Sequence, residues 1–316
     1  MSVAISSMSV HATLPIPVRA SPTDEPAEIL AFAVDAAMRG GQVALAALVK
    51  VRGGAARSPG SHIAVASDGS FCGYVSGGCV EAAAAGEDRT VKFGTDSPFF
   101  DIVLPCGGGI TVAIHLLRDI SAPIKALARP KERRSAALRY SQRRQALDIF
   151  PPGGPSGWAE GDFVTVYRPR TRILVCGETV EAAALASIGK AAGYDVVQRA
   201  RATKEVRDSI DEFTAVVLLN HDLEAEQAIL DEALRSSAFY IGALGSTRTH
   251  GKRVLRLRAN GWASGDIDRI KAPIGLFGPQ APGNRMSWDW EIGALFCGRL
   301  VAVGSLKLLF TLGWND

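Results

Sequence analysis

The chain has 316 residues, 47% of them hydrophobic and 21% charged, with a formal charge of +3 from 35 basic and 32 acidic side chains. At roughly 150 residues per domain the length fits two domains, and the composition excludes fibrous, collagen-like and wholly disordered classes. So small a net charge argues against a nucleic-acid coat or a membrane-surface binder, and it is local: residues 119–148 carry eight Lys or Arg against three Asp or Glu.

Residues 1–24 are rich in Ser and Pro, show no period, and read as a disordered tail without the pattern of a secretory signal. A helix opens near Pro26, with Ile29, Phe32, Ala33 and Ala36 on one face, and stops at Gly40-Gly41. The apolar run GQVALAALVKV is a strand that ends in a glycine-rich loop around Arg57. HIAVAS and SFCGYV flank Asp68-Gly69, a strong hairpin signal. Another glycine loop, Ser76-Gly77-Gly78-Cys79, leads into an Ala-rich helix from Val80. FFDIVLP and ITVAIHLL are strands separated by Cys106-Gly107-Gly108-Gly109. Residues 25–118 thus form a first α/β domain rich in glycine loops.

Residues 119–170 read as a basic connector, containing Pro151-Pro152-Gly153-Gly154-Pro155, which no helix or strand interior accepts. From residue 171 to 316 the pattern alternates. RILVC, DVVQ, AVVLLN and FYIGAL are strands, and 179–192, 223–236 and 246–259 are helices. This predicts βαβ units on a parallel sheet, a Rossmann-like domain. The apolar stretch 292–314 is interrupted by Arg299 and Lys307 and falls short of a membrane span. Five cysteines at long spacings, an odd count, fit reduced thiols in a cytoplasm.

In the second domain the turn after RILVC reads Gly177-Glu178-Thr179, with Ala182 following. A dinucleotide fingerprint needs a glycine where Thr179 stands and an acid near Gln198-Arg199-Ala200-Arg201, and neither is present. This argues against NAD(P); Gly177 either turns the chain of a scaffold or, with the arginines, helps hold a phosphate at the helix start. Asn220-His221-Asp222 ends the third strand. The pair suits acid/base work, metal ligation or ligand binding, and equally Asp222 suits a helix N-cap. Gly245-Ser246 with Arg248 one turn into the next helix is an anion site or a capped tight turn.

In the first domain three glycine loops carry Arg57, Cys79 and Cys106. Consecutive glycines let backbone N–H groups cradle an oxyanion, and a thiol beside them becomes a better ligand or nucleophile. The cysteine spacings do not suit zinc. Cys72 on a strand and Cys297 on an apolar stretch read as buried small residues.

ALAALVKVRGGAARSPGSHIAVASDGSFCGYVSGGCVEAA, LPCGGGITVAI, FYIGALGSTRTHGKRVLRL and KAPIGL together resemble the XdhC/CoxI family, accessory proteins of xanthine dehydrogenase and related molybdenum hydroxylases. The resemblance covers most of residues 42–118 and 172–302. It implies a cytoplasmic homodimer that binds molybdenum cofactor, supports its sulfuration with a cysteine desulfurase and delivers it to an apo molybdenum hydroxylase. The expectation is of a maturation factor more than an enzyme, with no catalytic residue assigned and neither nucleic acid nor membrane among its partners. Carried over residue by residue, the family's cysteine loops fall on Cys79 and Cys106 and its His-Asp on His221 and Asp222; with the loop residues read above, the candidate cofactor-binding positions are Arg57, Ser76, Gly77, Gly78, Cys79, Cys106, Gly107, Gly108, Gly177, His221, Asp222, Gly245, Ser246 and Arg248. Cys79 and Cys106 would be the molybdenum-facing thiolates. Departures at Thr179, Ala200, Gly293 and Arg299 cluster in the Rossmann half. The alternatives are an NAD(P)-dependent oxidoreductase with His221 as acid/base, or a divergent non-catalytic relative.

Overall fold

The structure, a computed structural model, describes residues 16–53, 57–75, 88–94 and 108–274. The chain divides after Pro169 into two units. Unit 1 contains β1 (Val18–Ser21), α1 (Pro26–Met38), β2 (Val43–Arg52), β3 (His62–Ala66), β4 (Ser70–Gly73), β5 (Arg89–Gly94) and β6 (Gly109–Leu116). These strands make a six-stranded sheet in the order β1-β4-β3-β2-β6-β5. Every pairing is antiparallel except β1 with β4.

The apolar run of β2 reflects burial on both faces. Val43 and Leu45 join Ile29, Leu30 and Ala33 of α1 in one core. Ala44, Ala46 and Leu48 join Ile63, Val91 and Val112 on the opposite face. Asp68-Gly69 does make the hairpin turn: Gly69 has φ +86, and Asp68 Oδ1 accepts from Ser70 N at 2.8 Å. α1 begins with Pro26 in its first turn and is followed by Gly40 at φ +84, as the spacing of its apolar residues predicts.

Residues 119–170 differ from the expected connector. They hold α2 (Ser121–Lys131) and a second, antiparallel sheet of β7 (Ala136–Ser141), β8 (Ala146–Phe150), β9 (Gly157–Ala159) and β10 (Asp162–Tyr167), ordered β8-β7-β10-β9. The Pro/Gly run at 151–155 is only the loop between β8 and β9. Alternation puts Leu138 and Tyr167 into the core shared with α1, while the charged side chains of the segment stay at the surface. The expected tail also differs, because residues 18–21 form β1 and zip onto the edge strand β4. Residues 1–15, the strand expected over 99–105 and the helix expected from Val80 lie outside the described residues.

Unit 2 alternates strands and helices: β11 (Arg172–Cys176), α3 (Val180–Ala191), β12 (Asp195–Arg199), α4 (Lys204–Ser209), β13 (Thr214–Leu218), α5 (Leu223–Arg235), β14 (Tyr240–Ala243), α6 (Thr247–Ala259), α7 (Ser264–Ile267) and β15 (Ile270–Lys271). All neighbours in the sheet are parallel, in the order β12-β11-β13-β14-β15. The fold is therefore α/β with a Rossmann-like parallel sheet. The order reverses between β11 and β13, and in such sheets ligands bind outside the carboxyl ends of the strands at that crevice. Among the described residues no helix is long and apolar enough to cross a membrane.

Candidate functional site

At the switch point of unit 2, Gly177 leaves β11 with φ +138. A Cβ there would stand 2.9 Å from Leu219 O and 3.0 Å from Asn220 Oδ1. Gly177 is thus required for the close passage of the two strand ends. Thr179 is the N-cap of α3. Its hydroxyl accepts from Ala182 N at 3.2 Å and lies 3.4 Å from Leu219 O. The cap takes one of the helix N–H groups that a pyrophosphate would otherwise meet. Gln198 Nε2 donates to Gly177 O at 3.1 Å where a ribose-binding acid would be sought.

Asp222 caps α5 by accepting from Glu224 N at 2.8 Å, and Ser246 caps α6 by accepting from Thr249 N at 3.3 Å. His221 and Arg248 are exposed. The register Leu218 to Ala243 brings Asn220-His221-Asp222 and Gly245-Ser246 to adjacent strand ends, next to Gly177. The nearby Glu181 carboxyl lies below the usual range, held there first by its own backbone N–H, with His221 contributing. Beneath these loops runs a buried ion pair. Arg253 Nε lies 2.5 Å from Glu226 Oε1, and Arg253 Nη2 donates to Leu244 O at 2.9 Å. Their side chains are 2% and 1% exposed. Burial pushes the Glu226 carboxyl up, and Arg253 opposes that shift.

In unit 1, Ser76, Gly77, Gly78, Cys79, Cys106 and Gly107 lie outside the described residues. The described strands that flank these segments in sequence have a common polarity. β2, β4 and β5 run toward one end of the sheet, and β3 and β6 start from it. Arg52, Gly73 and Gly94, which end β2, β4 and β5, therefore lie at the same end of the sheet as His62 and Gly109, which begin β3 and β6. The Arg57 guanidinium pairs with Asp24 at the surface and sits 5.9 Å from the Tyr74 ring centroid.

The side chain of Asp88, the first described residue after the Cys79 segment, is shielded from solvent. It lies 2.7 Å from His115 Nδ1 and accepts from Leu116 N (3.0 Å), Arg118 Nη1 (2.7 Å) and Tyr140 Oη (3.1 Å). Burial would raise its carboxyl, but these donors hold it below the usual range. His115 and Tyr140 also line a cavity of about 20 Å³ with His62, Thr165 and Tyr167, room for one water. His62 Nε2 is 3.0 Å from Tyr167 Oη, and burial pushes the imidazole down to about 4.

Two cysteines are interior. Cys72 is 1% exposed, and burial raises its thiol; Cys176 is buried, and its thiol is pushed up to about 12. Such thiols are inert. Cys297 lies outside the described residues. Among the described residues no three His, Cys, Asp or Glu side chains come together to hold a metal ion.

The residue that the sequence reading missed is Arg52. Its guanidinium lies over Gly109, where a Cβ would stand 2.6 Å from Nη2, and it donates to Thr111 Oγ1 at 3.2 Å and Phe93 O at 3.4 Å. A signal was present in LVKVRGG, where Lys50 and Arg52 alternate onto one face of β2.

Comparison with known proteins follows the division into units. A family model described as the XdhC and CoxI family matches residues 36–92, and one described as the XdhC Rossmann domain matches residues 173–282. The molybdenum cofactor insertion chaperone PaoD of Escherichia coli (strain K12) is 43% identical over 270 residues, 83% of this chain and 85% of that one. A crystal structure described as a xanthine dehydrogenase from Bacillus halodurans shares the fold with a TM-score of 0.58. It is 19% identical, and the match covers 88% of this chain and 95% of that chain.

Proposed function

This chain belongs to the XdhC and CoxI family, and on that footing we propose that it is a carrier of molybdenum cofactor. It binds the cofactor as cargo, supports its sulfuration with a cysteine desulfurase, and delivers it in the cytoplasm to an apo molybdenum hydroxylase of the xanthine dehydrogenase type, acting as a homodimer. The observation that carries this reading is the 43% identity to a molybdenum cofactor insertion chaperone along most of both chains.

The cargo is a phosphorylated pterin whose dithiolene holds the metal. A carrier needs cationic and amide donors for the phosphate and a soft thiolate for the molybdenum. Unit 1 fits that donor set. A half-buried arginine and closely packed glycines mark the sheet end that adjoins the Cys79 and Cys106 segments in sequence. In this reading Cys79 and Cys106 face the metal, with Ser76, Gly77, Gly78, Gly107 and Gly108 around them. Gly177, His221, Asp222, Gly245, Ser246 and Arg248 contribute at the switch point of unit 2. The capping of α3 by Thr179 leaves an NAD(P)-dependent oxidoreductase with less support.

The test is mass spectrometry of the protein co-expressed with molybdopterin synthesis. The wild type is expected to carry pterin, and Cys79→Ser with Cys106→Ser to lose most of it. A wild type without pterin that binds NADH or NADPH saturably at micromolar concentration would overturn the carrier reading. Retention of wild-type stoichiometry by the double variant would overturn the thiolate role.

A further inference from the structure

The carrier reading leaves the phosphate contact of unit 1 unassigned, and strand register supplies one. In the β2-β6-β5 ladder two successive same-face rows are Lys50–Thr111–Lys92 and Arg52–Gly109–Gly94. Residues directly opposite one another share a face, as do residues two apart. This end of the sheet therefore presents three cations and a threonine above two glycines, with no acid in either row. The row between them, Val51–Ile110–Phe93, points to the other face, where Ile110 and Phe93 are buried in an apolar core.

Lys50 and Lys92 are exposed and Arg52 is half-buried. Neither Lys50 nor Arg52 has a carboxylate partner among the described residues. The floor under Arg52 carries no side chain of its own, for a backbone reason. Gly94 has φ +101, and a Cβ on it would meet Gly109 Cα at 2.7 Å.

The border of this surface is aromatic. Trp158 donates from Nε1 to Val49 O at 3.0 Å, one residue from Lys50, and packs edge-on against Phe163 with centroids 5.5 Å apart. Its side chain is nevertheless 56% exposed. An exposed indole beside clustered cations suits a ligand that joins an aromatic ring to a phosphate.

We propose that Lys50, Arg52 and Lys92, over Gly94 and Gly109, form a binding platform for a phosphomonoester whose attached ring lies against Trp158. The inference rests on the carrier reading only for the identity of the ring, since the cationic rows recognise the phosphate by themselves. Arg52 is the principal contact, because Thr111 and Phe93 O already fix its guanidinium and leave its remaining N–H groups for the ligand.

The test is titration of the full chain with inorganic phosphate at low ionic strength, followed by 31P NMR. Arg52→Gln, Lys50→Gln and a control, Arg143→Gln, which removes an exposed charge on the β7–β8 turn, are compared with wild type. Arg52→Gln is expected to weaken binding about tenfold or more, Arg52→Lys to restore part of it, and Arg143→Gln to leave it unchanged. No binding by wild type, or equal loss in Arg52→Gln and Arg143→Gln, overturns the platform. The co-expression experiment separates the two ideas. Pterin retained equally by wild type and Arg52→Gln overturns the platform and leaves the carrier standing. Arg52-dependent phosphate binding in a wild type that carries no pterin supports the platform and removes the carrier.

Discussion

Unit 1 is expected to lose stability in mild acid as buried imidazoles take up protons: burial lowers both His62 and His115, and His62 is the one whose share can be worked out. His62 is completely enclosed between the two sheets, 3.0 Å from Tyr167 Oη, and burial lowers its pKa from 6.5 to about 4. Because the folded-state value is the lower one, the unfolded chain takes up the proton first as the pH falls. The stabilisation is present in full above pH 6.5 and is lost between there and about pH 4. Linkage then gives a loss of about 2 kcal/mol from pH 7.5 to 5.0 and about 3 kcal/mol below pH 4. His62→Gln keeps a polar atom within reach of Tyr167 and cannot charge, so its stability is expected to vary about 2 kcal/mol less over the same interval. The assay is urea unfolding at pH 7.5 and 5.0, read by hydrogen-exchange mass spectrometry of the β2 and β3 peptides, which assigns the transition to unit 1. Any fixed packing cost of the substitution cancels in the pH difference. Parallel pH dependences in wild type and variant would refute the argument.

Arg253→Met strands a buried carboxylate at Glu226 and removes a donor from Leu244 O. It is expected to cost about 3–5 kcal/mol in unit 2, while Glu226→Leu with Arg253→Met recovers most of that, as calorimetry of the three proteins can show. Gly94→Ala should cost about 2 kcal/mol or more, because its Cβ would stand 2.7 Å from Gly109 Cα at φ +101. Gly40→Ala, at φ +84 with nothing within 4 Å, should cost only about 1 kcal/mol, and thermal melts of the pair separate collision from backbone strain. Thr179→Ala should lower stability by about 1 kcal/mol through the lost cap of α3, measured by urea unfolding of unit 2.

What the sequence disclosed was whatever depends on local periodicity. The α1 stripe, the hairpin at Asp68-Gly69 and the four strands and three principal helices of unit 2 coincide with their structural counterparts because each signal lies within a dozen residues. The sheet of β7–β10 was not legible. Its strands are short, the helix and turns around them are basic, a Pro/Gly run separates two of them, and their apolar faces gain meaning only against α1 and β2. The same distinction governs the sites. Asp222 and Ser246 as caps could be read from sequence, since a cap needs only the following turn. The Arg57–Asp24 pair could not be read, because the two residues lie 33 positions apart. Lys50, Arg52 and Lys92 become one surface only once β2 and β5 are both paired with β6.

The return of residues 119–169 onto the first sheet has a consequence for how this molecule can be taken apart. Leu138 and Tyr167 share a core with Ile29 and Leu45, and Phe163 shares one with Val49 and Ala113. Cutting at residue 118 would tear both interiors open, and the remnant would be an aggregating fragment rather than a smaller module. The seam lies instead in the few residues between Tyr167 and Arg172. A recombination there exchanges one Rossmann-like half for another without touching the first unit's interior, so the charged segment is inherited with the half that carries Cys79 and Cys106, and swaps between relatives should be joined at that point.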